Sequence, residues 1–87
     1  MKVVIGHYDH YLRVAHELDA AAFDVPTDQW NALSDDEKWS LNRQFLDWVM
    51  EQSAYIVLAT DPAFIKRPSW LDRELRYLAL HGYKIEP

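Results

Sequence analysis

The sequence predicts an α/β fold in which a short, mainly parallel four-stranded sheet lies between helical layers. Two observations lead to this prediction. Short apolar runs, rich in β-branched and aromatic residues, alternate with longer segments whose apolar residues recur at helical spacing. The expected strands lie near residues 2–6, 21–25, 55–60 and 83–86. Because crossovers between parallel strands are right-handed, we expect the strand order 2-1-3-4.

The first half of the chain contains short elements. The apolar run at residues 3–5 ends at Gly6, where a glycine permits a tight turn or a close backbone approach. Asp9 is expected to cap a helix of about three turns. The second strand ends before Pro26, which cannot continue a hydrogen-bonded ladder. Thr27 is then expected to cap a short turn of helix.

The central helix has the clearest local signal in the chain. Ser34 and Glu37 fit a capping box, and the acidic first turn between them suits the helix dipole. The helix is expected to run to about Gln52. Its main apolar face is expected to comprise Leu41, Phe45, Trp48, Val49 and Gln52, with Trp39, Leu46 and Met50 beside it. The second set belongs either to the core or to a surface for self-association or partner binding.

The last helix is predicted to lie between Ser69, a suitable N-cap, and Gly82. A core stripe at helical spacing comprises Leu71, Leu75, Leu78 and Ala79. A second stripe beside it comprises Trp70, Glu74, Tyr77 and His81. Since periodic aromatic residues usually pack, the second stripe is either a half-buried seam or the border of a site with Glu74 at its centre.

Length and composition restrict the class of protein. The chain of 87 residues suffices for one domain, residues 1–87. The net charge of -5 and the lack of a basic run disfavour nucleic-acid binding. The chain has no cysteine, so neither a disulfide nor a cysteine zinc site can form. No apolar run approaches the ~20 residues of a membrane span, so we expect a cytoplasmic protein, in its own or a target cell, that does not bind membranes.

The predicted strand order implies a ligand crevice. In an open, Rossmann-like parallel sheet, ligands bind beyond the carboxyl ends of the strands where the order reverses, here between strands 1 and 3. The loop that begins with Gly6-His7-Tyr8 would there face the loop containing Asp61, with Glu74 nearby. His7 is the candidate substrate contact or proton carrier because its loop borders this crevice.

No cofactor and no metal are predicted. The chain has neither a Gly-x-Gly-x-x-Gly fingerprint nor a Walker-type loop for phosphates. His7 and His10 are three residues apart, but a metal site would need a third ligand from elsewhere in the chain. Lys66 and Arg67 are candidate phosphate contacts, with a solvated loop as the alternative interpretation.

A local resemblance concerns the last helix. The segment Ser69-Trp70-x-x-x-Glu74-Leu75, after an apolar strand, resembles the Ser-Trp-x-x-x-Glu-Leu segment of Toll/interleukin-receptor (TIR) domains. In the NAD-cleaving members of that family this glutamate is catalytic. The resemblance covers about thirty-five residues and implies a catalytic role for Glu74.

A second resemblance spans nearly the whole chain. It rests on Gly6-His7-Tyr8-x-x-Tyr11, Ala15-x-Glu17-Leu18-x-Ala20, Phe23-x-Val25-Pro26-x-x-x-Trp30-Asn31, Trp39-x-x-Asn42-x-x-Phe45-Leu46-Asp47 and Glu74-Leu75-x-Tyr77-Leu78-x-x-x-Gly82-Tyr83. This pattern is similar to a module at the C-terminal tips of bacterial polymorphic toxins, of the contact-dependent inhibition and Rhs kinds. The chain departs from that module at Gln52-Ser53-Ala54, where an Arg-Gly-Asp-like turn is expected. The resemblance implies no particular reaction.

The leading functional prediction is recognition or cleavage of a nucleotide-like ligand, with the N-glycosidic bond of NAD as the specific candidate. Glu74 would be the acid or the charge stabiliser, as carboxylates are in glycosidic cleavage, and His7 the second catalytic residue. The residues expected around the ligand are Gly6, Tyr8, Asp61 and Trp70. The alternative is a non-catalytic interaction module or small inhibitor, for example phage-encoded, that binds a partner protein or a second copy of itself through exposed aromatic and acidic residues.

Overall fold

The computed structural model describes residues 1–83 and 85, and this part of the chain forms a mixed α/β fold with four α-helices and a three-stranded sheet. The elements in chain order are β1 (Lys2–Ile5), α1 (His10–Leu18), β2 (Ala21–Ala22), α2 (Thr27–Asn31), α3 (Asp35–Glu51), β3 (Tyr55–Leu58), a 3-10 turn (Pro62–Phe64) and α4 (Trp70–Leu80). The predicted α/β class is confirmed. No helix among these residues is long and apolar enough to span a membrane.

The sheet is parallel, and β1 is its central strand in the order β2-β1-β3. Val3 pairs with Ala21 on one side and with Ile56 on the other. The predicted order of the first three strands is therefore confirmed. The fourth strand was expected at residues 83–86, of which Lys84 and Glu86 lie outside the described residues.

The second strand is shorter than the predicted 21–25. After Ala22 the chain leaves the sheet, and the carbonyl oxygen of Phe23 accepts a hydrogen bond from the Tyr11 hydroxyl at 2.7 Å. That side-chain donor satisfies a backbone acceptor which a longer strand would have paired in the ladder. The segment after β2 thus becomes a wall beside α1, and Pro26 lies at the N-cap of α2.

The buried face of α3 differs from the predicted one. Asn42, Leu46 and Val49 are buried, whereas Trp48 is 38 % exposed. A hydrogen bond explains how an asparagine joins this face: Asn42 Nδ2 donates to the Lys38 carbonyl oxygen at 3.2 Å, so one of its amide hydrogens has a partner in the buried environment. The expected main face is confirmed at Val49, which is buried, and at Phe45, which packs partly buried against the core, but it is wrong at Trp48.

The patch expected from Trp39, Leu46 and Met50 does not form as a separate surface. Leu46 is fully buried, while Trp39 and Met50 pack partly buried against the core. The ring of Trp39 also contacts the ring of Tyr77, with centroids 5.7 Å apart, and so belongs to the contact between α3 and α4. The core alternative for this set is the one that the structure supports.

The ends of α3 and α4 agree with the sequence signals. The starts of α1 and α2 differ, because Asp9 makes no side-chain cap hydrogen bond and Pro26 takes the N-cap position predicted for Thr27. Glu37 N–H donates to Ser34 Oγ at 3.2 Å and Ser34 N–H donates to Glu37 Oε1 at 3.0 Å, which completes the predicted capping box. Asp72 N–H donates to Ser69 Oγ at 3.1 Å at the start of α4. Gly82 follows α4 with a φ of 68°, a left-handed conformation that costs glycine little.

The core lies between the sheet and the helices α3 and α4. Val3, Ile5 and Ile56 contribute from the strands, and leucines of both helices complete the cluster. Leu71 and Leu78 of α4 are buried as predicted, but Ala79 is exposed and Glu74 is buried instead. The buried side of α4 is therefore rotated from the predicted one: it includes the Glu74 carboxyl group and leaves the Ala79 methyl group exposed.

Two leucines provide a matched test of this core. Leu46 is fully buried and Leu80 is 85 % exposed. We expect Leu46→Ala to lower the free energy of unfolding by about 2–5 kcal/mol, because it removes packed methyl groups and leaves a cavity. Leu80→Ala should change it by less than about 0.5 kcal/mol. Urea unfolding measures both values, and equal midpoints for the two variants would contradict the described face of α3.

Candidate functional site

A cavity of about 480 Å³ opens beside the carboxyl end of β1. Its walls come from the end of β1 and the loop after it, the first turn of α1, the segment after β2, α2, α3, and the loop before α4 with the first turns of that helix. Aromatic rings from five of these segments line it: Tyr8, Tyr11, Phe23, Trp30 and Trp70. The position agrees with the general rule that ligands of parallel sheets bind beyond the carboxyl ends of the strands.

Glu74 is the buried acidic group of this cavity. It is 8 % exposed, and burial raises the pKa of its carboxyl group from 4.5 to about 8. Within residues 1–83 and 85 no ion pair or hydrogen bond holds its side chain. Since every fully enclosed side-chain nitrogen or oxygen in the same residues has a partner, the free oxygens of Glu74 face the cavity space.

Asp72, two residues away on α4, shows the opposite arrangement. It is 7 % exposed, yet its carboxylate is paired with Arg67 at 3.3 Å and with Arg76 at 3.2 Å. A buried acid normally has such partners because an unpaired charge in a low-dielectric environment is costly. Asp72 therefore has a structural role, and Glu74 stands out as the acid whose burial is not compensated.

His7 lines the cavity and ties two loops together. Its backbone N–H donates to Thr60 Oγ1 at 2.9 Å, and its Nε2 accepts a hydrogen bond from the Lys66 N–H at 3.0 Å. This hydrogen bond requires the tautomer of His7 that carries its hydrogen on Nδ1. The imidazole thus fixes the loop before α4, and its predicted role as a proton carrier stays a prediction.

Gly6 also lines the cavity, at the end of β1. A Cβ atom built there would lie 3.0 Å from Ala59 Cβ, 3.1 Å from Thr60 Oγ1 and 3.2 Å from Tyr11 Cβ. These distances are shorter than ordinary contacts between such atoms. The glycine therefore permits the close approach that was expected, with β3 and α1 as the neighbours.

The aromatic wall consists of two groups of contacting rings. The rings of Trp70 and Trp30 lie edge to face with centroids 5.7 Å apart, and the rings of Trp30 and Phe23 follow at 5.8 Å. Tyr8 is 73 % exposed and its ring lies 6.3 Å from that of Tyr11. Tyr8 and Trp70 are thus both cavity residues, as the sequence suggested.

The positions of the other predicted residues differ. Asp61 is exposed and its Oδ1 accepts from the Ala63 N–H at 2.8 Å, so it caps the 3-10 turn and does not line the cavity. Lys66 lines the cavity and is exposed. Residues that the sequence did not single out for the site are Tyr11, Phe23, Trp30 and Asn42. Phe23 and Trp30, two aromatic residues in a largely polar stretch after β2, were the sequence signal that could have indicated this part of the lining.

The Tyr11 hydroxyl lies near enough to the Glu74 carboxyl group for the charge of Glu74 to act on it. Burial and, to a smaller extent, the charge of Glu74 raise the pKa of Tyr11 to about 12. Its proton is directed to the Phe23 carbonyl oxygen. Among the described residues, no group of three or more His, Cys, Asp or Glu side chains could hold a metal ion.

Comparisons with models of known families, with curated proteins and with solved structures find no match to this chain.

The raised pKa of Glu74 makes stability depend on pH. The carboxyl group ionises near 4.5 in the unfolded chain but at about 8 in the folded protein, so the folded state retains a proton that the unfolded state loses. Its contribution to stability is complete below pH 4.5 and declines as pH rises to about 8, by roughly 3–5 kcal/mol in total.

The measurement is urea unfolding from pH 4 to 9 of the native protein and of Glu74→Gln. The two proteins differ at this residue alone, so the difference between the two profiles isolates Glu74. We expect the variant to become the more stable protein near pH 8. Parallel profiles would show that Glu74 ionises normally.

Proposed function

We propose that the cavity binds a nucleotide-like ligand and that Glu74 takes part in cleaving the N-glycosidic bond of that ligand. The observation that supports this proposal is a buried, unpaired carboxyl group in an aromatic-lined cavity. Perturbed acids in concave pockets are typical of catalytic sites, because evolution otherwise replaces or pairs them.

The size and lining of the cavity suit such a ligand. Its volume of about 480 Å³ lies within the ~300–1,000 Å³ of small-molecule sites. The rings of Trp30 and Trp70 offer apolar surface to a planar base. Lys66 and the first turn of α4 border the same space and would contribute positive charge near a phosphate.

Glu74 would act in one of two ways, depending on the base. With a neutral base, the protonated carboxyl group would donate its proton to the departing nitrogen as the electron pair of the glycosidic bond moves to the base. With a cationic base, such as the nicotinamide ring of NAD, the base leaves neutral without a proton, and the ionised carboxylate would stabilise the positive charge that develops on the ribose. In both cases water adds to the ribose carbon and loses a proton.

The two sequence resemblances add support of a different kind. Glu74 occupies the position of the catalytic glutamate in the TIR-like segment, and Trp70 from the same segment lines the cavity. The longer resemblance to toxin tips leads us to propose that the chain acts on a ligand in its own or a target cell, in the manner of a small effector domain.

We also propose a finer description of the fold, a three-layer Rossmann-like domain. The order β2-β1-β3 supports it, because strands are added on opposite sides of β1 and the cavity lies at that reversal. The Tyr83 hydroxyl donates to the Ala54 carbonyl oxygen and so holds the chain after α4 beside the start of β3.

The second candidate function is a non-catalytic interaction module. The exposed rings of Tyr8 and Phe64 favour it, since both lie in loops that adjoin the cavity lining. A partner protein that covers the mouth of the cavity would remove these rings from water and would contribute binding energy of the kind that aromatic anchors supply.

The test is release of free base from a panel of NAD, nucleosides and nucleotides, followed by chromatography. We expect the native protein to release base from at least one of them, and Glu74→Gln to lower turnover by roughly two or more orders of magnitude. Glu51→Gln, the same change at an exposed position at the end of α3, should leave turnover unchanged.

No release from any member of the panel at high protein concentration would remove the enzyme proposal and leave the interaction module. Undiminished release by Glu74→Gln would keep an enzyme but exclude this residue from its mechanism. Circular dichroism of each variant confirms that the fold is intact before activities are compared.

A further inference from the structure

Two residues that line the cavity with Glu74 keep free hydrogen-bond acceptors. Asn42 uses its Nδ2 on the Lys38 carbonyl oxygen, which leaves the Oδ1 end of its amide. Tyr11 uses its hydroxyl hydrogen on the Phe23 carbonyl oxygen, which leaves the lone pairs of the phenol. These oxygens and the Glu74 carboxyl group give the cavity acceptors beside the side-chain donors of its lining, such as the hydroxyl groups of Thr27 and Ser69.

The cationic side chains around this region have other positions. Arg67 and Arg76 pair with Asp72. Arg73 lies over the ring of Trp39, 4.1 Å from its centroid. Lys66 is the lysine that lines the cavity, but it is exposed. Nothing in the described part of the chain thus supplies a positive charge to the buried carboxyl group of Glu74.

We propose that this cavity takes ligands carrying a planar, permanently cationic organic group, and that the Glu74 carboxylate is the counter-ion of that group. A ligand of this class supplies the charge that the protein lacks at Glu74, so binding relieves the cost of an unpaired buried acid. The rings of Tyr8, Tyr11 and Phe23 in the lining attract the same cation. The rings of Trp30 and Trp70 already have cationic side chains of the protein over them, Lys38 at 5.4 Å and Arg73 at 6.0 Å from the centroids. This inference rests on the proposal that the cavity is the ligand site, but it holds whether or not the ligand is cleaved.

Binding of such a cation should release the proton of the Glu74 carboxyl group. Because burial raises the pKa of Glu74 to about 8, the free protein holds this carboxyl group mainly protonated at pH 7. A cation displaces that proton into solution, so its affinity should rise up to about tenfold per pH unit from pH 6 to 8.

The titratable groups that line the cavity with Glu74 are Tyr11 on α1, His7 and Tyr8 in the loop before α1, and Lys66 in the loop before α4. The lining residues of α2 and α3 are not titratable: Thr27, Trp30, Asn31 and Asn42.

A pair of isosteric probes isolates the charge. The 1-methylpyridinium-3-carboxamide cation and neutral 3-methylbenzamide have the same shape and differ in one ring atom. Isothermal titration calorimetry at pH 6, 7 and 8, in two buffers of different ionisation enthalpy, measures affinity and proton release together. We expect the cation to bind at least about tenfold more tightly than the neutral probe at pH 8, with release of close to one proton at pH 7.

Two variants complete the test. Glu74→Gln keeps the shape of the side chain but cannot ionise, so it should lose the preference for the cation and the proton release while still binding 3-methylbenzamide. Glu51→Gln should behave as the native protein does. Equal affinity for the two probes, no binding of either, or a cation preference that survives in Glu74→Gln would each overturn the inference.

The outcome is independent of the test for cleavage. Cation preference without base release from any substrate would support this inference and exclude the glycosidic reaction. Base release without cation preference would support the reaction and overturn this inference, because the ligand would then be held as a neutral molecule by a protonated Glu74.

Discussion

The cavity depends on close packing around Gly6, where β1 ends between β3 and α1. With Ala59, Thr60 and Tyr11 all within 3.2 Å of the position of a Cβ atom, no side chain fits there without moving one of its neighbours. This contact sets the distance between the loop after β1 and the end of β3. His7, the next residue, then reaches both Thr60 and the loop before α4 through hydrogen bonds. One small residue therefore allows three segments to meet at the mouth of the site.

The two buried acids of α4, Asp72 and Glu74, differ in their ion-pair partners. Asp72 is buried with two arginine partners, and Glu74 is buried with none among the described residues. Replacing an unpaired buried acid by an apolar residue is the simplest way to gain stability, since it removes a desolvation cost. The unpaired Glu74 at the cavity thus costs stability, and this cost is the basis of the binding or catalytic role proposed for it. The paired Asp72 shows that α4 can compensate a buried carboxylate when the position serves structure alone.

Short sequence motifs predicted the two helix caps that depend only on hydrogen bonds between nearby residues. The capping box at Ser34 and Glu37 and the cap at Ser69 depend on contacts three residues apart, and they form as expected. The face of α3 was predicted only in part, because Asn42 joins the buried side with its amide bonded to the Lys38 carbonyl oxygen. Polar residues with a satisfied hydrogen bond are indistinguishable from surface residues in a periodicity pattern.

The site was predictable to a similar extent. The strand order brought Gly6, His7, Tyr8, Glu74 and Trp70 to one cavity, as expected from the general geometry of parallel sheets. Asp61 was misplaced because a turn-forming carboxylate and a ligand-binding carboxylate look alike in a sequence. The aromatic wall after β2 was missed since the early end of that strand follows from a tertiary hydrogen bond with Tyr11.

The proposed site requires a Glu74 carboxyl group that is free of partners and protonated at neutral pH. The most direct measurement is ¹³C NMR of the glutamate side-chain carboxyl carbons from pH 3 to 10, with the Glu74 resonance assigned by its loss in Glu74→Gln. We expect this resonance to titrate with a midpoint of about 8, well apart from the exposed glutamates. A midpoint near the ordinary value of 4.5 would contradict the account, because it would show that the carboxylate is hydrated or paired in solution.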